Sequence, residues 1–462
     1  MNAYTPLSSE HIAALEQIVT SANLSTADAE LDLHAHDQGH HHPHRAEVIV
    51  WPQSAEQVAE VLRFANTHRI PVTPWGVGTS LEGNPIPLYG GILLSLERMT
   101  QILAVHADDF QVTVQPGIGH KDLNVHLSRY GLFFPPDPGA NATIGGMLAN
   151  NAAGIRTVKY GASKDNVLQM QVALADGRLI RVGSRSVKQS AGYDLLHLFV
   201  GSEGTLGIIT EATLRLVPVP MHMTAMVASF PTVEAAIETV VEVRGSGIDV
   251  AALEFLDETN TRMINEAGHN FQPLPTLLME VHATHENSLD QDIAIVREIC
   301  EAAGALDFYA TADHAERKKL WEARHIAYET LRRNHPGQQI FIMDVAVPIS
   351  AYPELIAYAR EVINQHGIIG YMKGHAGDGN IHVELPFADD VTLEKVQAVN
   401  AAIIRKAIAL GGTATGEHGV GIGKAAFMHE EHGEALSVMR AIKQTLDPNN
   451  ILNPGKIFPD NM

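Results

Sequence analysis

The sequence predicts an α+β protein with at least two domains. The chain has 462 residues, whereas one domain usually contains ~100–200. Short apolar strands separated by turns predominate over residues 48–217, with helices inserted between them. After the Pro-Val-Pro stretch at 218–220, amphipathic helices alternate with strands. A hydrophobic content of 45% is enough for large buried cores.

The first half begins with an amphipathic helix predicted over residues 8–22. The stretch 34–44 has six histidines but no regular period, so we expect a solvated loop there, with at most adventitious metal affinity. The apolar patterns that follow predict a helix at 55–68 and strands at 47–52, 70–76, 90–96, 110–117, 167–174, 178–183 and 208–218.

The second half contains more helices. Strands are expected at 276–283 and on both sides of a glycine loop within 368–386. Helices are expected at 233–247, 291–305, 314–333 and 393–412, with a last one ending at Leu446 before a turn-rich tail. We therefore divide the chain into residues 1–45, a first domain at 46–219 and a second domain at 220–462.

Charge and cysteine content exclude several classes of function. The formal net charge of −21 argues against nucleic-acid partners and anionic lipid surfaces. A single cysteine, Cys300, excludes an intrachain disulfide and an iron–sulfur cluster held by this chain's cysteines. The first residues lack the pattern of a signal peptide, and no uncharged apolar run reaches ~18 residues. We therefore expect a cytoplasmic protein without a membrane span.

Three glycine-rich segments lie in the first half, at 74–85, 135–167 and 199–210. Successive amides in such loops can hold anionic oxygens, and glycine lets a ligand approach the backbone closely. The first segment is neither a Rossmann fingerprint nor a phosphate-binding Walker loop. Any one of the three is as compatible with a structural turn as with a ligand site. Together they favour a site for a pyrophosphate and a planar ring.

Two motifs in the second half carry ligands typical of a divalent metal site. GHAGDGNIHVE places His375 and His382 on either side of a tight glycine loop, and TGEHGVGIGK contributes Glu417 and His418. Two histidines and one carboxylate suit Zn²⁺ or Mn²⁺ with open coordination positions. The alternative is that these histidines are hydrogen-bonded core residues. His418, beside the ligating Glu417, is the candidate general base.

The three glycine-rich segments resemble the FAD-binding half of the vanillyl-alcohol oxidase type of flavoproteins. The resemblance implies a PCMH-type FAD-binding domain of two α+β subdomains, followed by an α+β FAD-linked oxidase C-terminal domain whose tail returns to the flavin domain. The first loop contains no histidine, so we expect non-covalent FAD. The implied FAD contacts are Gly76, Val77, Gly78, Thr79, Ser80, Pro138, Gly139, Thr143, Gly145, Gly146, Gly154, Tyr160, Asp165, Glu203, Gly204, Ile209 and Asn453.

Over roughly residues 45–458 the chain resembles the D-lactate and D-2-hydroxyglutarate dehydrogenase branch of that family. By this resemblance His375, His382 and Glu417 bind the metal and His418 takes the proton of the substrate hydroxyl. Arg324, which alone would indicate a surface salt bridge, binds the substrate carboxylate. The metal acts as a Lewis acid, and the α-hydrogen leaves as hydride to FAD.

Departures from the family pattern favour a small substrate. Relatives that oxidise D-2-hydroxyglutarate carry threonine and lysine where this chain has Tyr328 and Ile342. An apolar Ile342 would leave a second carboxylate unpaired, which is costly. D-Lactate is therefore the first expectation, with glycolate second. Relatives also carry asparagine where Glu384 stands.

Several alternatives stay open at this point. The substrate could be D-2-hydroxyglutarate or glycolate, and a zinc hydrolase or a non-enzymatic metal-binding module would use the same histidines differently. The electron acceptor is expected to be a quinone, a cytochrome or an electron-transfer flavoprotein rather than NAD. A homodimer and a peripheral position at the inner face of a membrane are compatible with the sequence.

Overall fold

The helices follow the predicted alternation. The structure, a computed structural model, describes residues 4–459. Side-chain caps at Ser54, Thr232 and Asp389 accept backbone amides at three helix starts. The helices are α1 (Ser9–Val19), α2 (Asp28–Leu33), α3 (Ala55–His68), α4 (His120–Leu127), α5 (Ile144–Asn150), α6 (Thr157–Tyr160), α7 (Leu195–Phe199), α8 (Val233–Gly245), α9 (Glu258–Glu266), α10 (Glu286–Ala302), α11 (His314–His325), α12 (Ala327–Asn334), α13 (Tyr352–His366), α14 (Asp390–Ala409), α15 (Met428–His432) and α16 (Ala435–Leu446).

The strands belong to four sheets. They are β1 (Leu24–Ser25), β2 (Val48–Val50), β3 (Val72–Trp75), β4 (Ile92–Ser95), β5 (Ile102–His106), β6 (Gln111–Val114), β7 (Leu132–Phe133), β8 (Val167–Ala173), β9 (Leu179–Gly183), β10 (Ile208–Arg215), β11 (Val217–Pro218), β12 (His222–Ser229), β13 (Val250–Leu256), β14 (Thr276–Ala283), β15 (Asp307–Thr311), β16 (Gln339–Ala346), β17 (Tyr371–Gly374) and β18 (Asn380–Phe387).

The chain divides into two compact units, of which unit 1 comprises residues 1–153, 161–218 and 417–462. It contains a four-stranded sheet of order β1-β2-β4-β3, in which β2 and β3 run parallel to β4. It also contains an antiparallel sheet of order β5-β6-β10-β8-β9 and the short pair β11-β7. Helix α3 and the tail residues Ile451 and Leu452 share one core with the four-stranded sheet.

Unit 2 comprises residues 154–160 and 219–416. Its centre is a seven-stranded antiparallel sheet of order β15-β12-β14-β13-β17-β18-β16. Helices α9, α11 and α12 cover an apolar cluster on this sheet that includes Leu256, Leu278 and Leu331. These findings confirm the predicted α+β class and the order of a strand-rich first half and a more helical second half. Within residues 4–459, no helix is both long and apolar enough to cross a lipid bilayer.

The long helix predicted at 314–333 is wrong in one respect, because the structure breaks it into α11 and α12 at Ile326. The two parts bury different side chains. Helix α11 buries Ala323 and Arg324, whereas α12 buries Ala327, Thr330 and Leu331. The break leaves Arg324 at the C-terminal end of α11, where its side chain reaches the sheet.

The histidine-rich stretch 34–44 is irregular, as expected, but it is not fully solvated. His34 is buried beside the rings of Trp51 and Trp75. The buried Asp37 carboxylate accepts the amides of Gly39 and Gly83 at 2.9 and 2.8 Å. Hydrogen bonding to the loop that follows β3 therefore explains the burial that composition alone did not indicate.

Candidate active site

Within unit 1, parts of the three glycine-rich segments contact one another. A Cβ atom at Gly76 would lie only 2.5 Å from Thr143 Oγ1, so the first segment closely approaches the second. A Cβ atom at Gly204 would lie 2.4 Å from Pro74 Cγ, so the third segment closely approaches the first. The amide of Glu203 also donates to the carbonyl of Ala149 in α5 at 2.9 Å. The sequence predicted one common site for these segments, and their contacts agree with this.

The loop after β3 exposes a row of backbone donors. Across residues 4–459, the amides at positions 77–80 find no acceptor within hydrogen-bond distance. Gly78 has φ +67°, and a Cβ atom there would lie 2.5 Å from the Trp75 ring, so only glycine fits. Consecutive amides of this kind suit the anionic oxygens of a pyrophosphate. The first loop therefore meets the requirement for holding FAD.

Glu203 acts as an anchor between segments of unit 1. Its buried carboxylate accepts Asn84 Nδ2 at 2.6 Å and the amides of Val420 and Gly421 at 2.6 and 2.9 Å. Burial raises the pKa of Glu203, although these donors oppose that shift. Asn453 Nδ2 donates to the Glu203 carbonyl at 2.7 Å. Direct FAD contacts by Glu203 and Asn453 remain predictions.

The other expected FAD residues lie in varied settings. Gly139 is in an irregular loop, and a Cβ atom there would meet nothing within 4 Å. Ile209 is buried in the core of the five-stranded sheet. Asp165 accepts the amide of Ala162 at 2.9 Å. The remaining ones are Pro138 in the same loop as Gly139, Gly145 and Gly146 in α5, and Gly154 and Tyr160 in unit 2.

The predicted histidine pair is brought together in unit 2. His375 follows β17, His382 lies on β18, and their ring centroids are 5.1 Å apart. The turn between them is tight, because a Cβ atom at Gly374 would lie 2.2 Å from the carbonyl oxygen of Asn380. Both residues are almost completely buried, at 6% and 5% exposure. The glycine loop thus creates the convergence that the motif predicted.

A buried carboxylate, Glu254 on β13, joins two predicted site residues. Its Oε1 lies 2.6 Å from His375 Nδ1, and its Oε2 accepts Arg324 Nε at 2.8 Å. Burial raises the pKa of the Glu254 carboxyl. The neighbouring His375 and Arg324 lower the pKa by more than burial raises it, so the pKa stays below its usual value. The anion clamp expected at Arg324 and the expected metal ligand His375 therefore share one fully buried acid.

A second buried acid, Asp344 on β16, lies beside His382. Asp344 Oδ1 is 3.7 Å from His382 Nδ1, within ion-pair range but too far for a hydrogen bond. The same carboxylate accepts Asn380 Nδ2 at 2.6 Å and the amide of Gly416 at 2.7 Å. Gly416 is thereby held next to His382. Glu417 is its covalent neighbour, and consecutive Cα atoms are about 3.8 Å apart.

Glu417 and His418 begin the last segment of unit 1. Asn150 Nδ2 donates to the carbonyl of His418 at 3.4 Å. The following amides, at Val420 and Gly421, are those bound by Glu203. The segment after the proposed metal ligand is therefore fastened to the loops that meet the FAD requirement.

The position that departs from the family pattern, Glu384, has a partner in the structure. Its carboxylate forms a buried ion pair with Lys373 Nζ at 2.5 Å. Burial lowers the pKa of Lys373, although Glu384 opposes that shift. Ile342 lies opposite Glu384 in the β16–β18 register, and it packs with Tyr328 against the apolar cluster of unit 2. The positions expected to face a second substrate carboxylate are thus in largely apolar surroundings.

Sequence reasoning missed Glu254, Asp344 and Asp37. Each is a buried acid with at least one donor far away in the chain; Glu254 and His375, for example, are 121 positions apart, and Asp37 and Gly83 are 46 apart. One signal was available, because Glu254 is a lone charge in the apolar run VAALEFL. A buried charge must be paired. The apolar run around Glu254 therefore indicated that its carboxylate has a cationic or hydrogen-bonding partner, but it did not identify that partner.

Comparisons with known proteins agree with this arrangement. The family described as "FAD binding domain" matches residues 46–183, and "FAD linked oxidases, C-terminal domain" matches residues 219–457. A Danio rerio protein named "Probable D-lactate dehydrogenase, mitochondrial" is 40% identical, covering 96% of this chain and 92% of that protein. "D-lactate dehydrogenase [cytochrome], mitochondrial" from Arabidopsis thaliana is 39% identical, with 99% and 81% coverage.

The fold also occurs in solved structures. p-Cresol methylhydroxylase with substrate bound superposes with a TM-score of 0.80 at 17% identity, covering 98% of this chain and 97% of that chain. This likeness confirms the predicted fold class. The family matches confirm FAD as the cofactor that the glycine-rich segments indicated. The sequence matches of this chain, its two-part architecture and its glycine loops all support one assignment. The chain belongs to the FAD-linked oxidases.

Proposed function

We propose that the protein oxidises D-lactate to pyruvate, using non-covalently bound FAD and a divalent metal. The observation that carries this proposal is the arrangement Arg324–Glu254–His375, in which one buried acid holds an anion-binding group and a metal-binding group together. A 2-hydroxy acid presents a carboxylate and a hydroxyl on neighbouring carbons. It therefore needs those two kinds of group close to each other.

Arg324 is suited to bind the substrate carboxylate. Glu254 occupies its Nε atom at 2.8 Å. No acceptor in the described chain lies within hydrogen-bond range of the two terminal guanidinium nitrogens, which can therefore bind a carboxylate. The residue is only 9% exposed, so its charge is weakly screened. On a chain of net charge −21, such a local cation is needed to attract an anion.

His375, His382 and Glu417 are the proposed metal ligands. Two facing imidazoles and one carboxylate suit Zn²⁺ or Mn²⁺. The Glu254 contact at Nδ1 of His375 leaves Nε2 as the ligand atom, which is the usual pattern for a metal-binding histidine. The metal would lower the pKa of the substrate hydroxyl. Metal analysis of purified protein should give about one ion per chain, and chelation should abolish turnover while FAD stays bound.

His418 is the proposed base that takes the hydroxyl proton. Its backbone is fixed through the Asn150 side chain, and an imidazole exchanges protons near neutral pH. FAD, when bound, accepts the two electrons of the carbinol carbon. D-Lactate loses two electrons and two protons in becoming pyruvate, so the balance needs no further reactant until FAD is reoxidised.

The surroundings of Ile342 and Tyr328 support a short substrate. Neither side chain can neutralise a second carboxylate, and both pack against apolar residues. Lys373, a buried cation, is already paired with Glu384, which lies opposite Ile342. A dicarboxylate would therefore leave one charge unpaired. Glycolate fits the same space but would lose the apolar contact of the D-lactate methyl group.

Steady-state kinetics with an artificial dye acceptor test this substrate choice. We expect kcat/KM to be highest for D-lactate, lower for glycolate, and lower still for D-2-hydroxyglutarate and L-lactate. A preference for D-2-hydroxyglutarate would contradict the proposal. Acid precipitation of the protein should release FAD into the supernatant, because residues 74–85 contain no histidine for a covalent bond.

A cytochrome is the proposed electron acceptor, since a relative at 39% identity carries that word in its name. Reduction of a c-type cytochrome that requires both protein and D-lactate would support this choice, and reduction of only a quinone would contradict it. The cytoplasmic location expected from the sequence remains a prediction. Cell fractionation followed by activity assay would test it.

A further inference from the structure

We propose that Glu254 is a positioning residue that couples the substrate clamp to the metal ligand, so that its loss weakens metal and substrate binding together. This inference rests on the function proposed above. Glu254 is fully buried at 0% exposure, and its two oxygens are each committed to a different partner. Oε1 lies 2.6 Å from Nδ1 of His375, and Oε2 accepts a hydrogen bond from Nε of Arg324 at 2.8 Å.

The contact with His375 determines which ring nitrogen can bind a metal. A carboxylate at Nδ1 stabilises the tautomer with its proton on Nδ1, in which Nε2 carries the lone pair that can coordinate a metal. It also fixes the rotation of the ring. Without Glu254, the ring could adopt either tautomer and several rotations, and metal affinity would fall.

The contact with Arg324 determines the direction of the guanidinium group. A bond at Nε leaves the two terminal nitrogens side by side, the geometry that a carboxylate accepts in a bidentate manner. Arg324 lies at the end of α11, and Glu254 lies on β13, 70 positions away in the chain. The single acid therefore sets both the metal-binding ring and the anion-binding group on the same scaffold.

The neighbouring strand β14 offers a matched control. Glu280 is a buried acid on the same face of the sheet, because it pairs with Ala252, two residues before Glu254. The Glu280 carboxylate lies 2.7 Å from Nε2 of His282 and accepts a hydrogen bond from Nε1 of Trp321 at 2.8 Å. Glu280 thus reproduces the burial and the acid–histidine contact, and its described contacts include neither Arg324 nor His375.

The experiment compares Glu254→Gln with Glu280→Gln in the FAD-loaded chain of 462 residues. For Glu254→Gln we expect zinc or manganese affinity to fall about 10–100-fold, measured by dialysis against metal buffers. The KM for D-lactate should rise at least about 10-fold, with FAD content unchanged. Glu280→Gln should retain the wild-type metal affinity and KM, even if its melting temperature falls as much as that of Glu254→Gln. Wild-type metal affinity and KM in Glu254→Gln would overturn the inference, and so would an equal loss in both variants.

Two further variants separate this inference from the proposed function. Arg324→Lys should raise KM, and His375→Ala should lower metal affinity. If both do so and Glu254→Gln does not, only the coupling role is wrong; if neither does, the proposed function is wrong. Should Glu254→Gln fail to fold, Glu254→Asp keeps the charge on a shorter side chain. It should then show a smaller loss of metal affinity and KM together, and loss of neither would overturn the inference.

Discussion

At the residue scale, buried charges determine how each part of the site is built. Glu254 binds an arginine and a histidine, and Glu203 binds an amide side chain and two backbone amides. Lys373 binds Glu384. Removing one partner of such a contact leaves an uncompensated buried group, which costs about 3–5 kcal/mol for an ion pair. These buried charged residues therefore hold the side chains of the site in place.

His418 is the residue whose substitution tests the proposed chemistry most specifically. We expect His418→Gln to lower kcat for D-lactate about 10²–10⁴-fold, because a positioned general base contributes about that much. FAD content should stay at the wild-type level. His429→Gln, an exposed histidine eleven positions later, serves as the control and should match wild type. A His418→Gln enzyme with normal kcat would show that another group takes the proton.

At the element scale, the sequence was most informative where one local pattern determined the structure. The helix at 55–68 and the strand at 276–283 were predicted with their observed bounds, since each has a clear apolar period. Helix α5 was missed, because its glycines and asparagine have low helix propensity. The break at Ile326 was missed for another reason. Residues 314–333 contain neither proline nor glycine, so no local signal marks the end of α11 at His325.

For the candidate site, the sequence indicated the residue types but not their supports. Glycine spacing and histidine pairing marked the loop after β3, His375 and His382. The acids that support them, Asp37 and Glu254, were not identified, because Gly83, His375 and Arg324 come from distant segments. A lone charge in an apolar strand was a local sign of such an acid at Glu254 and at Asp344.

The histidine-rich stretch gives a prediction about FAD affinity. Asp37 accepts the amide of Gly83, and the amide of Gln38 donates to the carbonyl of Ser80 at 3.0 Å. This segment therefore supports the loop that presents the amides at 77–80. We expect Asp37→Ala to weaken FAD binding about 10-fold, measured by flavin fluorescence during titration of apoprotein. His44→Ala, in the exposed part of the stretch, should bind FAD normally. Equal FAD affinity in both variants would contradict a supporting role.

The contact between the first and third glycine segments gives a further prediction. Gly204 and Gly192 both have positive φ, +70° and +84°, so alanine at either costs about 1–2 kcal/mol in backbone strain. Only at Gly204 would the new Cβ also meet Pro74, at 2.4 Å. Gly204→Ala should therefore lose more free energy of unfolding than Gly192→Ala and should also lose FAD affinity. Urea unfolding and FAD titration measure the two effects, and identical results for the pair would refute the packing argument.

At the scale of the whole molecule, an acidic chain has to bind two anions. The net charge is −21, yet both the FAD pyrophosphate and a 2-hydroxy acid are negative. The first is expected to bind backbone amides, which carry no formal charge, and the second to bind one buried arginine. Both sites are local and partly shielded from solvent. We therefore expect anion binding to depend on the backbone amides and the buried arginine rather than on the electrostatic field of the net charge.

Stability should depend on pH through Lys456. Its Nζ donates to the carbonyl of Ile86 at 2.5 Å, and burial lowers the pKa of Lys456 from 10.5 to about 7. Between those values the unfolded chain binds more protons than the folded chain, so the free energy of unfolding rises with pH from about 7 to 10.5. Lys456→Met should reduce that slope by up to about 1.4 kcal/mol per pH unit. Urea unfolding at pH 7, 8 and 9 measures it, and equal slopes in both proteins would contradict the shifted pKa.

FAD bound to this chain is expected to take electrons from D-lactate. Anaerobic titration of the purified yellow protein with each lactate enantiomer, followed by visible absorption, tests it most directly. D-Lactate should remove the flavin absorption, and L-lactate at the same concentration should leave it intact. A protein that neither contains nor takes up FAD, or whose flavin D-lactate does not reduce, would contradict it.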